Sequence, residues 1–162
     1  MSPVSKETLN ALNAGINSEI ASYVFYIEAA KSPKTVEIKT VLEDLALEEK
    51  RHFHILERQH HSLIKSEQWI SLADVLKEKH LPPINEEMSA AHQGLIAEVR
   101  AAGSIGAILD IAYRLEVDAH KLFKGEAEKA HSPEGKKIFI ELAKFEKTHM
   151  DKISQMRKAY VR

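Results

Sequence analysis

The chain has 162 residues, of which 44% are hydrophobic and 29% charged, and its 23 basic side chains nearly balance its 24 acidic ones. This length predicts a single domain over residues 1–162, large enough to bury a core. The net charge of -1 gives no electrostatic basis for binding nucleic acid, and the absence of cysteine excludes disulfides, thiolate metal sites and cysteine nucleophiles from this chain.

Four long segments carry apolar residues at the 3.6-residue spacing that is typical of amphipathic helices. In chain order they cover about 5–31, 35–64, 104–131 and 133–160. Ser5 and Ser104 fit helix N-caps, whereas Ser32-Pro33 and Ser132-Pro133 mark breaks between segments. Because the connections within each pair of segments are short, we expect two antiparallel hairpins, 5–64 and 104–160.

A less regular stretch, 65–103, connects the two predicted hairpins. It contains Trp69, a short S-L-A-D-V-L segment, Pro82-Pro83, and a helical piece from about Asn85 to Arg100. No alternating strand pattern occurs in the sequence. The predicted fold is therefore all-α, a four-helix bundle with one long, partly helical crossover.

An internal repeat relates the two hairpins. When the sequence is displaced by 97 residues, identical residues coincide along the helical segments. The coinciding pairs are Leu12 and Leu109, Glu19 and Glu116, Ala30 and Ala127, Leu45-Ala46 and Leu142-Ala143, Glu49-Lys50 and Glu146-Lys147, and His52 and His149. The bundle is thus predicted to contain two copies of one helical hairpin.

Several polar residues fall on the apolar faces of the predicted helices, the apolar stripes. Residues three or four positions apart lie on the same face of a helix, so these polar residues share a face with core residues. Four glutamates and two histidines are thereby predicted to face the interior: Glu19, Glu49, His52, Glu116, Glu146 and His149. An isolated buried carboxylate costs roughly tens of kcal/mol by ideal solvation arithmetic, so it must be neutralised, paired or bound to metal. No Lys or Arg lies on these stripes, whereas two divalent cations match four negative charges. The pattern predicts a dinuclear metal site.

The Glu-x-x-His spacing supports this prediction, since it projects two ligands from one helix face, and a bundle can add a Glu from each remaining helix. Carboxylate-rich ligands with one imidazole per ion suit iron or manganese better than structural zinc. With 19 Glu and 9 His, roughly one such pair is expected by chance, and four occur. The other two, Glu57/His60 and Glu128/His131, lack a repeat-related counterpart and are predicted to be solvated surface pairs.

At these positions the sequence resembles the ferritin-like di-iron carboxylate proteins, and among them the rubrerythrin type, whose helices carry Glu, Glu-x-x-His, Glu and Glu-x-x-His in turn. The stretch E-I-A-S-Y-V-F-Y from Glu19 is also similar to rubrerythrin. The resemblance covers the four long segments and implies two iron ions, with manganese as an alternative and zinc as a substitute on purification. The implied terminal ligands are Glu19 and His52 for one iron and Glu116 and His149 for the other, with Glu49 and Glu146 as bridges.

The same resemblance makes Tyr26 the candidate catalytic residue, because it would lie near the cluster with its hydroxyl within reach of a ligand. Its repeat-related counterpart is Phe123, and a plain core tyrosine is the alternative. Two features depart from the family pattern. The chain lacks the cysteines of a rubredoxin-like domain, so the resemblance implies an external electron donor such as a rubredoxin-like protein. The additional Glu that rubrerythrin carries one turn after the third-helix ligand is replaced by Ala119. Nearby His120 is a substitute ligand, a hydrogen-bond donor to a ligand, or a hydrogen-bonded histidine in the core or at the bundle edge.

The resemblance implies reduction of hydrogen peroxide, or of dioxygen, at a carboxylate-bridged di-iron site. A di-iron ferroxidase or oxygenase, a non-catalytic iron-binding or redox-sensing bundle, and a metal-free interaction module are the alternatives. Apolar residues left for the outer helix faces favour a homodimer. The polar start M-S-P-V-S-K-E-T and the absence of an apolar run of about 20 residues predict a cytoplasmic protein without a membrane partner.

Overall fold

The structure, a computed structural model, describes residues 4–31, 35–81 and 83–161, without the side chains of Glu86 and Glu87. Within these ranges the chain forms seven helices and no strand. They are α1 (Lys6–Lys31), α2 (Val36–Ser66), α3 (Leu72–Leu76), α4 (Glu86–Ala90), α5 (Gln93–Ala101), α6 (Ile105–Lys129) and α7 (Pro133–Tyr160). The predicted all-α fold is confirmed. The predicted break at Ser32-Pro33 and the first proline of Pro82-Pro83 lie outside the described residues.

Side-chain oxygens cap the four long helices at their N-termini. Each cap accepts a hydrogen bond from the backbone N–H three residues later, at 3.0–3.3 Å, and the caps are Ser5, Thr35, Ser104 and Ser132. These bonds satisfy N–H groups that have no partner within the helix. Pro133 occupies the first turn of α7, where its missing N–H is not needed. Local sequence thus sets where the long helices begin.

Each long helix passes through an apolar layer, a polar layer and a second apolar layer. The first apolar layer contains Phe25, Leu42, Leu109 and Ile153, and the second contains Leu12, Leu56, Phe123 and Leu142. Along the chain, α1 and α7 run from the second layer to the first, whereas α2 and α6 run the other way. The helices of each hairpin are therefore antiparallel, and α2 and α6 are parallel, so the crossover must travel the length of the bundle.

The crossover departs from the sequence prediction in one element. The prediction of one helical piece over 85–100 is wrong, because α4 ends at Ala90 and α5 begins after His92. The φ of -116° and ψ of 27° at His92 lie outside the helical region. Met88 and Ile96 both pack on an apolar cluster of α1 and α2. In one continuous helix their side chains would point about 80° apart. The break between α4 and α5 lets both reach that cluster.

Polar contacts hold both ends of the crossover on the first hairpin. Gln59, which is fully buried, donates from Nε2 to the Ile70 carbonyl at 2.7 Å and accepts from the Ile70 N–H at 2.9 Å. At the other end, Arg100 Nε donates to Glu28 Oε1 at 2.7 Å, a hydrogen bond that lowers the pKa of Glu28.

In the described ranges, no helix combines the length and apolarity that a membrane span requires.

Candidate metal centre

The polar layer is built by one or two side chains from each long helix. Glu19 comes from α1, Glu49 and His52 from α2, Glu116 from α6, and Glu146 and His149 from α7. None of the six is more than 6% exposed. The structure therefore brings together, inside the bundle, all six residues that the sequence predicted as ligands.

The ligand-type atoms of this layer form two groups of four that overlap. Within each group, the chosen oxygen and nitrogen atoms all lie within 4.8 Å of one another. The first group is Glu19, Glu49, His52 and Glu146, and the second is Glu49, Glu116, Glu146 and His149. Because Glu49 and Glu146 belong to both groups, the arrangement can hold two neighbouring metal ions that share two carboxylates.

Both histidines direct Nδ1 towards the carboxylates. His52 Nδ1 lies 3.1 Å from Glu146 Oε1, 3.6 Å from Glu19 Oε2 and 3.6 Å from Glu49 Oε2. His149 Nδ1 lies 2.7 Å from Glu49 Oε1, 3.5 Å from Glu116 Oε1 and 3.6 Å from Glu146 Oε2. The two imidazole rings are stacked, with centroids 5.4 Å apart. Each group thus has one imidazole nitrogen facing three carboxylates.

The carboxylate oxygens of this layer are not satisfied by the protein alone. Five of the eight, including both oxygens of Glu19, are buried and have no hydrogen-bond partner among the described residues. A buried acceptor left without a partner is costly, and most buried polar atoms in proteins have one. Carboxylate and imidazole donors suit divalent metal ions. The residues present therefore fit metal ions at this position.

The pKa values of the four glutamates divide into two pairs. Burial, followed by the charges of neighbouring carboxylates, raises the pKa of Glu19 and of Glu116 well above the usual range. Burial also opposes ionisation of the shared pair, but the neighbouring Glu19 carboxyl group and the His149 and His52 imidazoles hold the pKa of Glu49 at about 2. Hydrogen bonds likewise hold the pKa of Glu146 well below its ordinary value. The shared carboxylates are thus ionised, and the other two resist ionisation.

The two histidines favour their protonated forms when only the protein surrounds them. Burial alone would lower the pKa of His52, yet its hydrogen bond to Glu146 and the nearby Glu49 carboxylate raise it to about 9. Burial opposes protonation of His149 as well, but hydrogen bonds to the surrounding glutamates raise its pKa far above the ordinary value. Protons on these imidazoles would offset part of the negative charge of the shared carboxylates.

Tyr26 lies directly beside this layer. Its side chain is fully buried, and its hydroxyl donates to Glu116 Oε1 at 2.5 Å. Burial, followed by the charge of Glu116, raises the pKa of Tyr26, so the hydroxyl keeps its proton. The repeat-related Phe123 stacks on Phe139 in the second apolar layer. Tyr26 is therefore a hydrogen-bond donor to a ligand-type residue and has no equivalent in the second half of the repeat.

His120 and Ala119 do not contribute to the two groups. His120 Nδ1 donates to the Ala143 carbonyl at 2.9 Å and so links α6 to α7. Ala119 is 1% exposed and has no ligand atom to offer. The other two Glu-x-x-His pairs also lie outside both groups: Glu57 and His60 are half-buried, while Glu128 and His131 are exposed.

The sequence prediction missed Glu48. Its Oε2 lies 2.6 Å from His149 Nε2, on the opposite side of the ring from Glu49. Glu48 does not lie on the apolar stripe of α2, and the repeat-related residue is Phe145. Neither helical periodicity nor the internal repeat therefore predicts that Glu48 belongs to the site. The one local signal is its place immediately before Glu49, which lets it reach the neighbouring helix beside the cluster.

A family model described as Rubrerythrin matches residues 10–102, more than half of the chain. The chain belongs to the rubrerythrin family. The matched range contains Glu19, Glu49 and His52 and ends before α6. The ligand-type residues of α6 and α7 are outside this range, and they are assigned to the same site by the structure and by the repeat. No curated protein and no solved structure gives a significant match. The predicted rubrerythrin-type resemblance is confirmed.

Proposed function

We propose that this rubrerythrin-family protein binds two iron ions in its polar layer and reduces hydrogen peroxide there. The observation that carries the proposal is the sharing of Glu49 and Glu146 by two groups of four ligand-type residues. Three carboxylates and one imidazole per position favour iron or manganese over zinc. Two bound ferrous ions would supply two electrons, which, with two protons, break the O–O bond of hydrogen peroxide and form two molecules of water.

The polar layer would hold these ions by charge balance. Four ionised carboxylates would offset the four positive charges of two divalent ions in a layer that the flanking apolar layers keep dry. Because the local dielectric is low, these attractions are stronger than they are in water. The helices fix the six side chains from four directions, so the geometry exists before an ion arrives.

We assign Tyr26 a positioning role in the proposed reaction. Its protonated hydroxyl orients Glu116 through the 2.5 Å hydrogen bond and so holds one unshared ligand in place. The repeat-related position holds Phe123, which packs in the core without a hydroxyl group. The hydroxyl group of Tyr26 is therefore not required for packing alone, which supports a role in orienting Glu116.

A ferroxidase that reacts with dioxygen is the second candidate function. Ala119 favours it, because the position one turn after Glu116 is buried and cannot supply the additional carboxylate that rubrerythrins carry there. In either case the electrons would come from an external donor such as a rubredoxin-like protein. We also propose that two copies of the chain form a homodimer.

The test is to load the full chain with two ferrous ions without air and to mix it with hydrogen peroxide or dioxygen. We expect faster oxidation by peroxide, followed through the ferric absorption in the near ultraviolet, and repeated turnover when a chemical reductant is added. Faster oxidation by dioxygen favours the ferroxidase, and a single oxidation without turnover favours an iron-binding or redox-sensing role. Failure to bind two ions contradicts the metal centre itself.

A further inference from the structure

The two histidines of the polar layer have different neighbours on their outer sides. His149 Nε2 lies 2.6 Å from Glu48 Oε2. The ring of His52 instead stacks on Phe145, with centroids 5.0 Å apart and an interplanar angle of 12°. Glu48 and Phe145 occupy the same place in the 97-residue repeat. The repeat therefore preserves all six ligand-type residues but differs at the residue beside each histidine.

This difference changes what each histidine can offer a metal ion. Both rings direct Nδ1 towards the carboxylates, so an ion would bind Nδ1. The Nε2–H of His149 would then donate to Glu48. A carboxylate that accepts a hydrogen bond from the outer N–H of a ligating histidine fixes the ring orientation and raises the basicity of the ligand. The phenyl ring of Phe145 gives His52 packing, but it cannot accept such a bond or add a charge.

We infer that Glu48 makes the two metal positions unequal, so that the position served by His149 binds a divalent ion before the position served by His52. This inference rests on the proposed metal centre and adds an order of loading to it. Glu48 is then a positioning residue that acts through His149. Being 39% exposed, it also connects that histidine to the protein surface.

Two other contacts at the same position do not cancel the effect. Tyr26 donates to Glu116, which weakens that ligand, and the Tyr26→Phe variant below separates the effect of this bond from the effect of Glu48. Lys152 Nζ lies 3.5 Å from Glu48 Oε1, and both side chains are about two-fifths exposed, so water screens this ion pair. The shorter contact, with His149, sets the orientation of the Glu48 carboxylate.

The experiment is a titration of the metal-free full chain with Co²⁺, followed by visible absorption. We expect two binding steps in the wild type. His149→Ala should remove the tighter step and His52→Ala the weaker one. Glu48→Gln, which keeps the shape but removes the charge, should weaken the tighter step by about 10- to 100-fold and leave the weaker step unchanged. The matched control Glu43→Gln removes the same charge from an exposed position of α2 and should change neither step.

A second variant keeps the test decisive if Glu48→Gln does not fold, which circular dichroism without metal reveals. Glu48→Phe copies the surroundings of His52 and should bring the two steps together. The inference would be overturned by any of three results. These are equal Co²⁺ affinities of the two steps in the wild type, a weaker second step in Glu48→Gln, and merging of the two steps in Tyr26→Phe. Binding of fewer than two Co²⁺ ions by the wild type would instead contradict the proposed metal centre.

Discussion

At the scale of single residues, burial determines the chemistry of the polar layer. Burial opposes ionisation of all four glutamates and raises the pKa of Glu19 and Glu116, whereas hydrogen bonds keep the pKa of the shared pair, Glu49 and Glu146, low. Hydrogen bonds and charges of these glutamates raise the pKa of both histidines. Protons therefore compete with metal ions for the ligand atoms of the layer.

The first prediction concerns these protons. At pH 6, binding of two Zn²⁺ ions should release protons, because the raised pKa of the unshared glutamates and of both histidines favours protonated forms that the ions must displace. As the pH rises towards 9, His52, whose pKa is about 9, loses its proton beforehand, so fewer protons are released and the affinity increases. An ion titration in weak buffer with a pH indicator measures the release. Binding without proton release would contradict the protonation described above.

The second prediction concerns the shared carboxylates. Glu49→Ala should reduce binding from two ions to at most one, because it removes a ligand from both groups at once. Glu146→Ala should do the same. Glu57→Ala, on the same helix as Glu49 but outside both groups, is the control and should still bind two. Elemental analysis after removal of free metal distinguishes them, and two ions retained by Glu49→Ala would exclude a shared role for this residue.

At the scale of elements, close contacts between helices constrain residues that local sequence leaves open. Gly15 in α1 faces α2 and α6, and a Cβ there would lie 2.9 Å from Phe123 Cε1 and 3.0 Å from Leu56 Cδ1. Gly135 in α7 lies under Trp69, where a Cβ would approach the ring to 2.7 Å. Each glycine therefore lets another element come close.

The third prediction follows from these contacts. Gly15→Ala and Gly135→Ala should each lower the free energy of unfolding by about 1–3 kcal/mol, because the added methyl overpacks a filled site. Gly125→Ala is the matched control in α6: nothing lies within 4 Å of the added Cβ, so helix propensity should raise the free energy by about 1 kcal/mol. Denaturant unfolding gives all three values. If Gly15→Ala is stabilised like the control, the contact with Phe123 and Leu56 is not restrictive.

At the scale of the whole molecule, the polar layer joins the two hairpins. Each group of ligand-type residues takes side chains from both hairpins, since Glu49 comes from α2 and Glu146 from α7. An ion bound to either group would therefore cross-link the hairpins in the folded state only.

The fourth prediction is that metal removal lowers stability. At a free ion concentration 100 times the dissociation constant, a bound ion should raise the free energy of unfolding by about 2.7 kcal/mol, provided that the unfolded chain does not bind it. Thermal unfolding with and without a chelator measures the difference. Glu49→Ala should show a smaller difference than Glu57→Ala. Equal unfolding temperatures with and without metal would show that ions do not link the hairpins.

Much of the fold was predictable because its determinants are local or periodic. The caps at Ser5 and Ser104 and the start of α7 at Pro133 follow from side chains within one turn. The break between α4 and α5 was not predictable, because Ala91 and His92 carry no local stop signal. It depends on where α1 and α2 present their apolar cluster.

The sequence alone determined an all-helical chain with a 97-residue repeat and six ionisable residues on buried faces, because helical periodicity and charge balance can be read along one dimension. The association of those residues into two groups that share Glu49 and Glu146 required the antiparallel packing of four helices. Only the tertiary structure decided that Glu48 contacts His149 across more than 100 residues of chain while Phe145 contacts His52. Such contacts depend on the relative placement of helices, which periodicity within one helix does not specify.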